Sequence, residues 1–279
     1  MTTSIQQAGK TRLTDIEREQ FIREGYVIVR GLLPPDAVAT TRDGLLAATG
    51  MRQEDPSTWA RGTTVFPDHT DLTLTCWTDA MLDCAAELAG PHLSRETVIS
   101  PYREQQGLDP NMTGYIPVLN YPTPGPAEFQ QPTGAHIDGM HRARLFPEFQ
   151  YLVVFAYLTD VPAYGGATAV WPGSHRKLFE HWLEKGVRPG GTISDHVFDF
   201  DLGTPVPAVG SEGDVIFMHY LLVHSGSTNH ADRIRIGLNS VIHPDPAHPY
   251  IPKSGPPQPE WTPMDWTLRT DNLPQPVRI

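Results

Sequence analysis

The chain has 279 residues, enough for one large domain or two small ones and for a substantial buried core. Lys and Arg number 21 against 32 Asp and Glu, a formal net charge of −11, and this acidity argues against a nucleic-acid backbone as partner. No window approaches the roughly 18 continuous apolar residues of a spanning helix, and the opening "MTTSIQQAGKTRLTDIERE" has no apolar stretch of the kind a secretory signal needs.

"TDIE" is a capping box, with Thr14 as cap and Glu17 three residues on, and predicts a helix running to Gly25. "YVIVRG" follows as a β-branched strand, Tyr26 to Arg30. "LPPDAVATTRDGLLAATG" reads as a second helix, with Pro35 near its first turn and Gly50 after its end. "TDAMLDCAAELAG" predicts a third, capped near Thr78 or Asp79 and stopped at Gly90. Cys76 and Cys84 form no CxxC pair and read as small apolar packing residues in a reduced, cytoplasmic setting.

From about residue 94 the texture changes to short apolar runs separated by Gly, Pro, Asn and Asp. These are "TGYIPVLNY", "GAHIDG", "YLVVFAYLTDV", "GATAVWPG", "TPVPAVG", "DVIFMHYLLVHSG" and "RIRIGLNSVI". Such spacing predicts an all-β sandwich or barrel, with "RKLFEHWLEKG" as a short inserted helix. After residue 243 the chain is proline-dense, but Trp261, Trp266 and Leu268 give it something to dock with, so it reads as a strap over the barrel. The expected organisation is a single domain over 1–279: a helical flank (1–93), a β core (94–243) and the strap (244–279).

Chemistry concentrates in "GAHIDG". In an extended chain His136 and Asp138 project to one face, aiming a nitrogen and an oxygen ligand at one point. The segment "EGDVIFMHYLLVHSGSTNHADRIRIGLNS" reads as a long strand, a turn and a second strand. His224 stands at the end of the first strand and Arg235 lies eleven residues on, and in a hairpin such a pair can face one interior. Two histidines and one carboxylate make the facial triad of non-haem iron(II) oxygenases. Three metal positions stay open there, two for a bidentate 2-oxo acid and one for O2. The far carboxylate of such a cosubstrate needs a buried cation, and arginine's planar fork suits it.

"GAHIDG", "GGATAVWPGSHRK" and "HSGSTNHADRIR" together resemble the phytanoyl-CoA dioxygenase family of Fe(II)/2-oxoglutarate-dependent oxygenases, and "GYVIVRGLLPPDAV" fits as well. The resemblance covers residues 14–243. It implies a double-stranded β-helix (jelly roll) with flanking N-terminal helices. It implies iron held by His136, Asp138 and His224, and Arg235 on the distal carboxylate of 2-oxoglutarate. Tyr157 matches an aromatic of the cosubstrate pocket, and Thr168 and Asn120 stand where they would bond a cosubstrate carboxylate. Some members carry Ser two residues after the distal histidine. Here that position is Gly226, so either Ser225 or Ser227 substitutes or the contact is absent.

Each reading has a rival. His136 and Asp138 alone also fit an ordinary buried pair. His219 lies five residues before His224, on the opposite face of an unbulged strand, and reads as structural. Arg233 shares Arg235's face and reads as a surface residue. His175 reads as a turn organiser, and Trp171 as core or pocket wall. His141, Arg142 and Arg144 read either as a solvated loop or as substrate contacts. A zinc hydrolase accommodates the ligand set but leaves the interior arginine unexplained. Halogenases of this broad class lack the carboxylate ligand, so Asp138 disfavours that activity. The expected function is oxidation, chiefly hydroxylation, of a small organic molecule such as a secondary metabolite, with succinate and CO2 released. Desaturation, cyclisation and demethylation use the same site. The alternative from another class is a catalytically silent jelly-roll binding or scaffold protein.

Overall fold

The computed structural model describes residues 12–59, 70–89, 116–137, 152–185 and 200–242. The helices are α1 (Asp15–Glu24), α2 (Pro35–Thr49), α3 (Thr70–Leu74), α4 (Asp79–Ala89) and α5 (Ser174–Lys185). The strands are β1 (Tyr26–Val29), β2 (Ile116–Asn120), β3 (Leu152–Tyr157), β4 (Thr168–Val170), β5 (Val206–Ala208), β6 (Val215–His219), β7 (His224–Gly226) and β8 (Arg235–Ile242). They pair antiparallel in two sheets, a five-stranded one ordered β1-β6-β3-β8-β2 and a three-stranded one ordered β5-β4-β7.

Strand alternation divides the apolar residues into three layers. On β3, Val154 and Ala156 face outward with Phe217 of β6 and Ile236 and Leu238 of β8, against Phe21, Leu45 and Leu88 of the helices. Val153, Phe155 and Tyr157 face inward with Ile216 and Met218 of β6, Val170 of β4 and Ala208 of β5. On the far side of the three-stranded sheet, Ala169 packs with Leu178 and Phe179 of α5 and with Ile137 and Trp171. Burying each large apolar side chain contributes about 1.5–3 kcal/mol. The middle layer is the interior shared by the two sheets, and the site lies within it.

The N-terminal elements follow their local signals. The Thr14 hydroxyl accepts from the Glu17 amide, and the Glu17 carboxylate accepts from the Thr14 amide at 2.8 Å. Gly25 ends α1 with φ 81°, and Gly50 ends α2 with φ 70°. β1, from the helical flank, adds the edge strand of the larger sheet by pairing with β6. The turn of 3-10 helix at Pro56–Thr58 and the short α3 carry no strong sequence signal. The proline-dense segment 244–279 lies outside the described residues.

Three expectations fail in informative ways. The described part of "GAHIDG", up to Ile137, forms an isolated bridge at His136 and not a regular strand. "DVIFMHYLLVHSG" is two strands in different sheets, broken after His219. There the Leu222 amide donates to the His219 carbonyl at 2.8 Å, and the Leu221 amide to His219 Nδ1 at 3.0 Å. The ring thus caps the corner that carries the chain across the sandwich, so His219 and His224 differ by sheet rather than by strand parity. β7 and β8 are likewise not a hairpin, because they belong to opposite sheets. Residues 227–234 make the return crossing.

Candidate active site

His136 and His224 face each other across the bridge. They exchange both backbone hydrogen bonds, at 2.9 and 2.8 Å, and their ring centroids lie 4.6 Å apart. His136 Nδ1 lies 2.8 Å from the Gly134 carbonyl, and His224 Nδ1 lies 2.9 Å from the Leu222 carbonyl. A carbonyl only accepts, so each Nδ1 carries the proton and each lone pair sits on Nε2. Metal-bound histidines show this wiring, with one ring nitrogen donating to a carbonyl and the other turned to the metal. Asp138, two residues after His136, lies outside the described residues, as do His141, Arg142 and Arg144. Among the described residues no group of three His, Cys, Asp or Glu gathers to hold a metal. The histidine pair therefore fits an iron site as two of its ligands.

Arg235 begins β8 on its inward face, opposite Asn120 of β2. Its Nε donates to the Gly166 carbonyl at 3.1 Å, and its guanidinium lies 5.0 Å from the centre of the Phe155 ring. The residue is 5% exposed, and one terminal nitrogen, NH1, is buried with no hydrogen-bond partner among the described residues. No described carboxylate pairs with it. Burial pushes its pKa down from the ordinary arginine value, yet a guanidinium stays cationic. An uncompensated buried charge costs several kcal/mol, so this side chain fits an anion delivered by a ligand. Arg233, by contrast, is exposed, and its carbonyl accepts from Asn229 Nδ2.

Three residues missed by sequence reasoning seat this arginine. Phe155 lies beneath the fork. Gly237 leaves room for that ring, since a Cβ there would stand 2.3 Å from Phe155 Cε1. Gly166 presents its carbonyl from a left-handed conformation with φ 75°. A Cβ on Gly166 would also stand 2.5 Å from Asn120 Nδ2. Of these, Gly166 was noted beforehand only as part of the motif "GGATAVWPGSHRK".

The softer candidates separate. The Tyr157 hydroxyl donates to the Ala208 carbonyl at 2.7 Å and accepts from the Thr168 amide at 3.3 Å, so its ring is wall and its oxygen is committed to the fold. Burial raises its pKa, opposed by the charge on Arg235. Thr168 is buried on the inward face of β4, with its side chain hydrogen-bonded to the Tyr157 hydroxyl. Asn120 donates to the Ser227 carbonyl at 2.7 Å, which ties β2 to the crossing after β7. Ser225 alternates away from His224, beside Ala169, and its hydroxyl donates to the Gly226 carbonyl at 3.1 Å. It faces away from the interior and is dropped as a cosubstrate contact. Ser227 is likewise committed, to the Ala167 carbonyl at 2.7 Å. Trp171 is part of the layer under α5.

The sequence profile of the phytanoyl-CoA dioxygenase (PhyH) family matches residues 21–237. A curated relative, "Dioxygenase FrzG" from Cladobotryum sp, is 35% identical over 103 residues, 33% of this chain and 29% of the relative. The chain thus matches under a third of that protein's length. Among solved structures, the non-heme alpha ketoglutarate dependent carbocyclase SnoK from nogalamycin biosynthesis superposes with a TM-score of 0.54 at 19% identity, covering 88% of this chain and 92% of that one. EvdO2 from Micromonospora carbonacea var. aurantiaca, complexed with 2-oxoglutarate, gives 0.52 at 16% identity, over 90% and 97%. The epimerase SnoN in complex with Fe3+, alpha ketoglutarate and nogalamycin RO gives 0.51 at 20% identity, over 81% and 82%. The fold is accordingly the mainly-β jelly roll of these oxygenases. No described helix is long and apolar enough to cross a membrane. With 21–237 under one family profile and the histidine pair and buried arginine inside its jelly roll, the chain belongs to the phytanoyl-CoA dioxygenase family of Fe(II)/2-oxoglutarate-dependent oxygenases.

Proposed function

We propose that the chain is a dioxygenase that uses Fe(II), 2-oxoglutarate and O2 to oxidise a small organic metabolite, chiefly by hydroxylation, releasing succinate and CO2. The observation that carries the reading is Arg235, a buried cation whose NH1 has no partner among the described residues, in the same sandwich interior as the His136–His224 pair. A zinc hydrolase has no use for that charge. The acidic chain, with no basic cluster, favours a substrate without a phosphate-rich carrier. The described cysteines, Cys76 and Cys84, are buried and form no disulfide, which suits the reducing cytoplasm.

In this mechanism His136, His224 and Asp138 would hold the iron, the histidines through Nε2, since Nδ1 of each is anchored on a backbone carbonyl. Iron with its cosubstrate supplies the oxidising power when bound. Arg235 binds the distal carboxylate of 2-oxoglutarate, its fork held by the Gly166 carbonyl and the Phe155 ring. Thr168 offers a hydroxyl on the facing sheet. Val153, Phe155, Tyr157, Ile216 and Met218 keep the interior dry, which strengthens each charged contact there.

The test is iron-dependent succinate release, measured with a panel of candidate metabolites and without them. Succinate that requires iron and rises with one metabolite class supports the reading. No succinate under any condition, with 2-oxoglutarate still bound, favours a silent jelly-roll binding protein.

A further inference from the structure

Gly226 is the one position of β7 that is open. Ser225 and Ser227 on either side are 4% and 5% exposed, whereas Gly226 itself is exposed. It stands opposite Thr168, two residues beyond His224, and strand alternation puts it on the inward face with His224 and Val170. A Cβ placed on it meets no atom of the described residues within 4 Å. Its backbone is not in the left-handed region, so no conformational reason requires glycine. Going from His224 to Gly226 on β7 is going from Val170 to Thr168 on β4, towards Gly166, whose carbonyl holds Arg235. Two residues of strand advance about 6–7 Å, comparable to the carbon chain between the two ends of a short diacid.

We infer that Gly226 is the specificity-determining residue for the cosubstrate's carbon chain. The space beside it takes the methylenes of a 2-oxo diacid reaching from the histidine pair to Arg235, and the missing side chain sets how much chain fits. This rests on the 2-oxoglutarate reading above. Side chains added at 226 grow into the ligand and not into the protein. They therefore act on the diacid while leaving the fold as it is.

The experiment uses the iron-loaded protein without oxygen. 2-Oxoglutarate and the one-methylene-longer 2-oxoadipate are titrated by calorimetry, and melting temperatures are recorded without ligand. Gly226→Val is expected to melt with the wild type and to bind 2-oxoglutarate about tenfold to a hundredfold more weakly, the usual effect of a misfit methyl or two in a binding pocket. Gly226→Ala is expected to lose more affinity for 2-oxoadipate than for 2-oxoglutarate. Wild-type 2-oxoglutarate affinity in Gly226→Val overturns the inference, as does an equal loss of both acids in Gly226→Ala. A Gly226→Val protein that melts well below the wild type also overturns it, since the space would then belong to the fold. Arg235→Leu separates the two levels. If it loses 2-oxoglutarate while Gly226→Val does not, only this inference fails. If neither variant does, the cosubstrate assignment fails as well.

Discussion

The described residues hold two close histidine pairs, and they are wired in opposite ways. In His136–His224 the ring centroids are 4.6 Å apart, and in His175–His219 they are 5.0 Å apart. In the first pair each Nδ1 donates to a carbonyl two residues earlier in its own chain, which leaves both lone pairs on Nε2. In the second pair His219 Nδ1 accepts the Leu221 amide, and His175 Nε2 donates to the Ile22 carbonyl at 3.2 Å. Those bonds fasten the sheet-to-sheet corner to the end of α1. Both rings of the second pair are fully buried, whereas His136 is only half-buried. Proximity and residue type are therefore shared, and the placement of one proton on each ring distinguishes a ligand pair from a structural one.

The sharpest way to break this contrast is to remove one member of each pair. His224→Ala, and equally Asp138→Ala, is expected to lose bound iron and to lower turnover by more than the roughly 10- to 100-fold typical of losing a contact that only supports a ligand. His219→Ala is expected to keep its iron and measurable turnover. Metal analysis beside succinate formation checks this, and iron lost from His219→Ala but kept by His224→Ala would exchange the two roles.

The next effect concerns the buried Arg235. Arg235→Leu is expected to raise KM for 2-oxoglutarate about tenfold to a thousandfold, from the loss of a charge-assisted bond and an unpaired buried carboxylate. Iron content stays near wild type. Arg235→Lys recovers part of the loss, because lysine keeps the charge without the planar fork. Arg233→Leu, at an exposed position, changes little. A large effect at Arg233 instead would mean that the anion sits outside the sandwich.

Some of this was legible beforehand. His136, His224 and Arg235 stood out because ligand and anion chemistry restricts which residue types serve and how they are spaced. The strands of the core were legible as short apolar runs bounded by Gly, Pro, Asn and Asp, because central strands such as β3 and β6 are buried on both faces. The corner at His219 was not legible, because "DVIFMHYLLVHSG" is apolar throughout and gives no period to mark the switch of sheet. The seat of Arg235 was not legible either. Phe155, Gly166 and Gly237 are ordinary residues of strand and turn, and their meaning comes only from meeting across three segments.

A smaller effect is expected in stability. His219→Ala removes the acceptor of the Leu221 amide and leaves a cavity beside Phe21 and Tyr220. The expected cost is about 2–4 kcal/mol in denaturant unfolding. KM for 2-oxoglutarate should stay at its wild-type value, because the corner is remote from Arg235 in the wiring. A selective rise in KM would show that the corner positions the site.

The smallest effect is the pH dependence of that stability. Burial, reinforced by the neighbouring His175, holds the His219 pKa well below the ordinary histidine value. Its Nδ1 accepts from a backbone amide, and its Nε2 is buried without a hydrogen-bond partner among the described residues, so a second proton has no counter-charge there. Above the unfolded value, about 6.5, both states are neutral and His219 adds no slope. Below it the unfolded chain takes up a proton that the folded protein refuses. Stability then falls as pH drops from about 6.5 towards the depressed folded value, by up to about 1.4 kcal/mol per pH unit. His219→Phe keeps an apolar ring and removes the titrating group. Its stability difference between pH 7.5 and 5.5 should be about 1 kcal/mol smaller than the wild type's, with the other histidines common to both proteins cancelling. An unchanged difference would mean that His219 accepts a proton in the folded state, and the two histidine pairs would then share the property that is taken here to separate them.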